Sequence, residues 1–201
     1  MIKNIVLDVG RVLVAWEPEA AMHRLGLSEE AVQAVADATV RTPDWDEMDR
    51  GALDEEELLG RFIARAPDRE KEIRLFVGNV GTAIRRFDYT TDWIARMKQS
   101  GYRVYILSNY AKRTFAQTKD ELSFLAAADG AVFSYEIRMI KPEPGIYRTL
   151  FEKYGLNPEE CLFLDDRQEN ADGAKAVGME AICFVNYEQA VREMKTYGVV
   201  C

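Results

Sequence analysis

Five short apolar runs constrain this chain more than any other feature: Ile5–Leu7, Tyr102–Leu107, Ala131–Tyr135, Cys161–Leu164 and Ala181–Val185. They are rich in Val, Ile, Phe and Tyr and nearly continuous, as in parallel strands covered on both faces. Helical patterns of crossover length separate the last four. Ile94 and Met97 share a face ahead of Gly101, which can stop that helix. Ile146, Leu150, Phe151 and Tyr154 form a stripe ending at Gly155, with Pro144 in the first turn. Asn157-Pro158-Glu159-Glu160 reads as a capped single turn feeding the next strand. The order β-α-β-α-β-α-β predicts an α/β fold with an open, doubly wound (Rossmann-like) parallel sheet.

The first two runs lie too far apart for one crossover. From Trp16 to Phe87 the pattern is helical, with almost no strand signal. Ser28-Glu29-Glu30 looks like a helix start, followed by Val32, Val35 and Val40. Ala52–Ile63 is acidic on one face and apolar at Leu53, Leu58, Leu59 and Phe62. Asp54–Glu57 reads as a solvated helix start stabilised by the dipole and not as a metal site. The expected division is a core of residues 1–15 and 88–201 and a small all-helical cap, 16–87, inserted after the first strand. Such an insert leaves the sheet where the strands' carboxyl ends open, so it can cover a ligand bound there.

Composition removes several function classes. The 201 residues fit one domain, or a core with a small insert, and 48% apolar residues suffice for a core. Acidic residues outnumber basic ones 34 to 26, and no Lys/Arg cluster reverses the charge of −8, which argues against nucleic-acid and anionic-membrane partners. No apolar stretch is long enough to span a membrane, and MIKNIVLDVG lacks the length and cleavage signal of a secretory peptide. A cytoplasmic monomer or weak dimer is expected. Cys161, Cys183 and Cys201 offer no CxxC pair, and the first two read as small buried hydrophobes. His23 is the single histidine. Ser-His-Asp or Cys-His catalysis and His/Cys zinc sites would all have to run through it, and it reads better as a helix-surface residue. What remains is chemistry by carboxylates, lysine and a hard metal.

Ligands of open parallel sheets bind beyond the carboxyl ends of the strands. Asp8 follows the first strand, Ser108-Asn109 the second, Lys141-Pro142 the third, and Asp165-Asp166 with Asn170 the fourth. Each has an ordinary reading alone, as a turn cap, a helix cap or a solvated loop charge. Together they suit displacement at a phosphoryl group. Asp8 and Asp166 offer hard oxygens for Mg²⁺. Ser108 and Asn109 can hold phosphate oxygens at a strand-to-helix turn, and Lys141 supplies a point charge. Asp8 as nucleophile would form an aspartyl-phosphate that water hydrolyses. Asn170 is expected to hold the loop from behind.

These residues lie in IVLDVGRVL, YILSNY, MIKPEPGIY and LFLDDRQENADGAKAVGM, and the chain resembles the haloacid dehalogenase superfamily of hydrolases along its whole length. Trp45-Asp46-Glu47-Met48-Asp49-Arg50-Gly51, followed by Leu53 and Glu57, is similar to caps in this superfamily. The resemblance implies that Asp8 is nucleophile and Mg²⁺ ligand and that Gly10 lends its carbonyl to the metal. Ser108, Asn109 and Lys141 match the phosphate-binding motifs and Asp166 the metal-binding acid, with Asp165 able to reach the metal or its waters.

One position departs. Many members carry an Asp as acid/base where this chain has Gly10, and such help is worth about 10²–10⁴ in rate. A leaving group of low pKa needs it least, so the expected substrate is a small phosphorylated metabolite, a sugar phosphate such as a hexose 1-phosphate. Gly10 argues against a phosphomutase, and Asp165-Asp166 against a metal-free dehalogenase. The rival reading is a member that binds a phosphorylated ligand without turning it over. Arg11 reads equally as a site residue or as a partner of cap acids. Trp16, His23, Trp45 and Arg50 could face the leaving group or pack within the insert.

Overall fold

The structure, a computed structural model, describes residues 1–200. Five parallel strands form one sheet: β1 (Asn4–Leu7), β4 (Arg103–Ser108), β5 (Gly130–Phe133), β6 (Cys161–Asp165) and β7 (Glu180–Cys183), in the order β5-β4-β1-β6-β7. A second, antiparallel pair joins β2 (Val14–Trp16) to β3 (Ile84–Arg86). Between this pair lie α1 (Pro18–Arg24), α2 (Glu29–Ala38), α3 (Pro43–Arg50), α4 (Glu55–Arg65) and α5 (Glu70–Gly78). The sheet is covered by α6 (Thr90–Gln99), α7 (Lys112–Gln117), α8 (Ser134–Ile137), α9 (Pro144–Tyr154), α10 (Gln168–Ala176) and α11 (Tyr187–Met194).

Burial on both faces explains the unbroken apolar runs. Side chains alternate across a strand, so Ile5, Leu7, Val104, Ile106, Leu162 and Leu164 pack on one side with Trp93, Ile94 and Met97 of α6 and Met194 of α11. Val6, Tyr105, Leu107 and Phe163 pack on the other with Ile146, Tyr147 and Leu150 of α9 and Ala171 and Ala174 of α10. The helical insert has a core of its own, centred on Val32, Val35, Phe62, Ile73 and Phe76.

Local signals act where expected. Ser28 Oγ accepts from the Ala31 N–H at the start of α2, and Asp54 accepts from Glu56 at the start of α4. Pro144 opens α9, and Gly155, at φ 62°, closes it. Four expectations shift. The third run ends at Phe133, because Ser134 and Tyr135 turn into α8, and the fifth stops at Cys183, leaving Val185 exposed. Cys183 is only half-buried, so the buried-hydrophobe reading holds for Cys161 alone. The pair β2–β3 at the roots of the insert was not expected, since Ile84-Arg85-Arg86 carries a single apolar residue. It is fixed by its partner, with Trp16 opposite Ile84.

Candidate active site

β1, β4 and β6 end side by side, bringing Asp8, Ser108 and Asp165 to one edge of the sheet. Lys141, from the loop before α9, enters beneath them with 2% of its surface exposed. Its Nζ lies 2.8 Å from Asp8 Oδ1 and 2.6 Å from Asp165 Oδ2, and donates to the Leu107 carbonyl at 3.0 Å. Three acceptors use all three ammonium protons. Burial works against the charge on Lys141, but Asp165 and Asp8 outweigh it and raise the pKa.

Asp165 does more than the sequence suggested. It is fully buried, pairs with Lys141, and through Oδ1 accepts from the Arg167 N–H and Asn170 Nδ2, both at 2.9 Å. It therefore anchors both the lysine and its own loop. Asn170 holds this loop as expected, while its Oδ1, buried beside the cavity, has no partner.

Carboxylate oxygens of Asp8, Asp165 and Asp166 lie within 4.8 Å of one another. Three carboxylates against the one buried ammonium leave excess negative charge. Burial accordingly pushes Asp8 up to about 7, Lys141 opposing and Asp165 adding to the shift. Burial and the neighbouring Asp165 also raise Asp166. Hard oxygen donors, an orphaned amide oxygen and uncompensated charge together fit a small divalent cation.

Ser108 and Asn109 arrive at the same edge in different states. Ser108 is 1% exposed, and its hydroxyl makes one long contact, 3.5 Å, to the Asn109 carbonyl. The Asn109 side chain lines the cavity, but both its amide atoms are used. Nδ2 donates to the Lys141 carbonyl at 3.1 Å, and Oδ1 accepts the Lys141 N–H at 2.8 Å. Its amide therefore positions Lys141. Arg11 sits in a left-handed turn, φ 58°, and faces Asp166 at 3.6 Å, a core acid and not an acid of the insert. An added Cβ at Gly10 would meet nothing within 4 Å, so the glycine answers no steric need there.

A cavity of about 540 Å³ opens above these groups, roofed by Trp16, Val40, Arg41, Thr42, Trp45, Asp46 and Asp49. Trp45 stacks on Phe62 and Phe76 and meets Trp16 at 5.7 Å, so both tryptophans pack and line the cavity at once. The other two insert residues considered above lie elsewhere. His23 is exposed and pairs with Glu29, and Arg50 is tied to Glu143 at 2.7 Å and Glu47 at 3.1 Å.

Asp49 escaped the sequence reading as a site residue. It comes from α3 and lines the cavity together with Asp8, Lys141 and Asp166. Ser134 Oγ donates to its carbonyl at 2.5 Å and accepts the Tyr110 N–H at 2.9 Å, fixing the end of α3 to the core. Gly51 follows in the left-handed region, φ 67°, against the Tyr135 backbone, where a Cβ would come within 3.0 Å. Burial pushes the Asp49 carboxyl up to about 8, Asp46 and Asp8 adding to the shift while the Ala111 N–H and Lys141 oppose it. Among the described residues no lysine or arginine pairs with it, whereas Asp46 has Arg167 at 3.7 Å.

Residues 3–178 match the family model for haloacid dehalogenase-like hydrolases. The chain belongs to this family. Among curated relatives, flavin mononucleotide hydrolase 1 of Arabidopsis thaliana is 24% identical over 77% of this chain and 62% of that protein. Sesquiterpene phosphatase astK of Aspergillus oryzae is 23% identical, covering 88% of this chain and 87% of that protein. The chain spans less than two thirds of some relatives, only 36% of a cyclase from Aspergillus calidoustus. In structure it is similar to the HAD family enzyme bt-2542 of Bacteroides thetaiotaomicron, solved with magnesium and inorganic phosphate. The TM-score is 0.72 at 19% identity, over 94% of this chain and 99% of that one.

Proposed function

We propose that this hydrolase is a Mg²⁺-dependent phosphomonoesterase that works through an aspartyl-phosphate on Asp8. The observation that carries the reading is the Asp8 carboxylate at the cavity floor, 2.8 Å from a saturated, buried Lys141 and grouped with Asp165 and Asp166. Asp8, the Gly10 carbonyl and Asp166 would hold the metal, with Asp165 and Asn170 behind them. When bound, Mg²⁺ supplies positive charge that lowers the repulsion between a carboxylate nucleophile and a phosphate dianion. Lys141 keeps Asp8 oriented and offsets its charge, and the Ser108 hydroxyl and backbone N–H groups at the end of β4 offer donors to the phosphoryl oxygens. The phosphate-handling relatives and the magnesium–phosphate complex of the structural neighbour support this assignment.

Residues 16–87 act in this reading as a cap over a core of 1–15 and 88–201, and the leaving group lies beneath that cap. The substrate is a small phosphorylated metabolite. A sugar phosphate suits a cavity that combines the indole faces of Trp16 and Trp45 with Arg41, Thr42 and Asp46. The lack of a side chain at Gly10 makes a hexose 1-phosphate the finer choice. A more apolar leaving group is the second reading, favoured by Val40 and Ile84 beside the two tryptophans. The free thiols of Cys161 and Cys183 suit a reducing cytoplasm.

Phosphate release from a panel of sugar, flavin and prenyl monophosphates, with and without Mg²⁺, tests the proposal. Turnover that requires the metal and is lost in Asp8→Asn is expected, with a sugar 1-phosphate preferred. No release from any ester by folded protein that binds Mg²⁺ would instead point to the non-catalytic, ligand-binding reading.

A further inference from the structure

Hydrolysis of an alkyl phosphate needs a proton donor, because an alkoxide is a poor leaving group. Gly10 has no side chain to give one. Lys141 directs its three protons to Asp8, Asp165 and the Leu107 carbonyl. Asp46 is held by Arg167, and Asp166 faces Arg11. One acid on the cavity wall remains without a cationic partner among the described residues, and Ser134, Gly51 and the Arg50–Glu143 pair fasten its helix to the core.

We propose that Asp49, carried over the site by α3, is the catalytic acid and base of this hydrolase. The inference rests on the phosphatase reading and adds to it a residue from outside the strand-end motifs. Asp8 attacks phosphorus, and the bond from phosphorus to the ester oxygen breaks with its electron pair on oxygen. That oxygen takes the proton of the Asp49 carboxyl and departs as the alcohol. Water then attacks the aspartyl-phosphate and gives a proton to the Asp49 carboxylate. The bond from phosphorus to Asp8 breaks with its pair on the Asp8 carboxylate, and inorganic phosphate leaves.

The groups facing Asp49 are Asp46 on its own helix, Asp8 and Lys141 below, and the Ala111 N–H, so its carboxyl borders the cavity with no ion pair to a cation among the described residues. With a donor at Asp49, an empty Gly10 leaves a sugar 1-phosphate preferred but not required, and the fit against Trp16 and Trp45 decides among the other sugar phosphates.

The test compares kcat/KM for p-nitrophenyl phosphate, whose phenol leaves without a proton, with that for a simple alkyl phosphate, both in Mg²⁺. In Asp49→Asn kcat/KM for the alkyl ester is expected to fall about 10²–10⁴-fold, and kcat/KM for the p-nitrophenyl ester, whose leaving group needs no proton, to fall far less. Asp49→Glu, which keeps a carboxyl, is expected to recover part of the alkyl activity. Equal losses for both esters would mean that Asp49 only positions α3, and no loss for either would mean that it is a bystander. Both results overturn the inference and leave the phosphatase reading standing. If the wild type hydrolyses neither of these esters nor any of the sugar, flavin and prenyl monophosphates in Mg²⁺, the phosphatase reading falls and takes the inference with it.

Discussion

Lys141 shows how single residues carry this site. Its ammonium sits between two buried carboxylates, so each of the three charges depends on the others. Replacing it with methionine leaves Asp8 and Asp165 unpaired, and urea unfolding should show a loss of about 3–5 kcal/mol at neutral pH. Asp49 gives the opposite case. Burial pushes its carboxyl from the ordinary 3.8 up to about 8, so the folded state holds the extra proton across that interval. Stability contributed by this group is therefore full below pH ~4 and declines as pH rises towards 8. Asp49→Asn removes the dependence, and its stability relative to wild type, measured without metal, should rise across that window and level off above it. The sequence exposes Asp8, Lys141, Asp165 and Asp166 because each follows a strand whose apolar run marks where it ends. Asp49 sits in a helix among Asp44, Asp46 and Glu47, where acids read as a solvated face, and only the docking of α3 shows that Asp46 and Asp49 turn towards the cavity.

At the scale of elements, the C-terminal end of α3 decides whether that carboxyl reaches the site. Gly51 adopts a left-handed conformation directly against Tyr135, and Ser134 binds the Asp49 carbonyl. Gly51→Ala imposes both a left-handed cost of about 1–2 kcal/mol and a clash with backbone. It should lower the melting temperature and reduce kcat/KM for alkyl phosphates. An unaltered melting curve would show that α3 is not held this way. The parallel strands and their covering helices were readable because burial on two faces and a 3.6-residue period leave strong patterns. The β2–β3 pair was not, because its three-residue strands are held by each other and leave almost no local pattern. Nor was the turn at Ser134, where the strand pattern runs on through Tyr135 although the chain has already entered α8.

Across the whole molecule, the proposed function depends on two surfaces meeting. In that reading the sheet edge supplies nucleophile, lysine and carboxylates, and the helical insert supplies the tryptophans, Arg41 and Asp49 that line the same cavity. Arg50–Glu143 and Arg167–Asp46 tie the two together. Strand order predicts the first surface from sequence, whereas the second depends on how the insert rests on the core, which no local pattern encodes. The central claim is that phosphate passes through Asp8. Its most direct test is acid quenching during turnover of a phosphate ester in Mg²⁺, followed by mass spectrometry of the peptide that contains Asp8. A phosphoryl adduct on Asp8 that forms only with metal and is absent from Asp8→Asn is the predicted result. Turnover with no adduct, or with the phosphoryl group on another residue, would contradict the account.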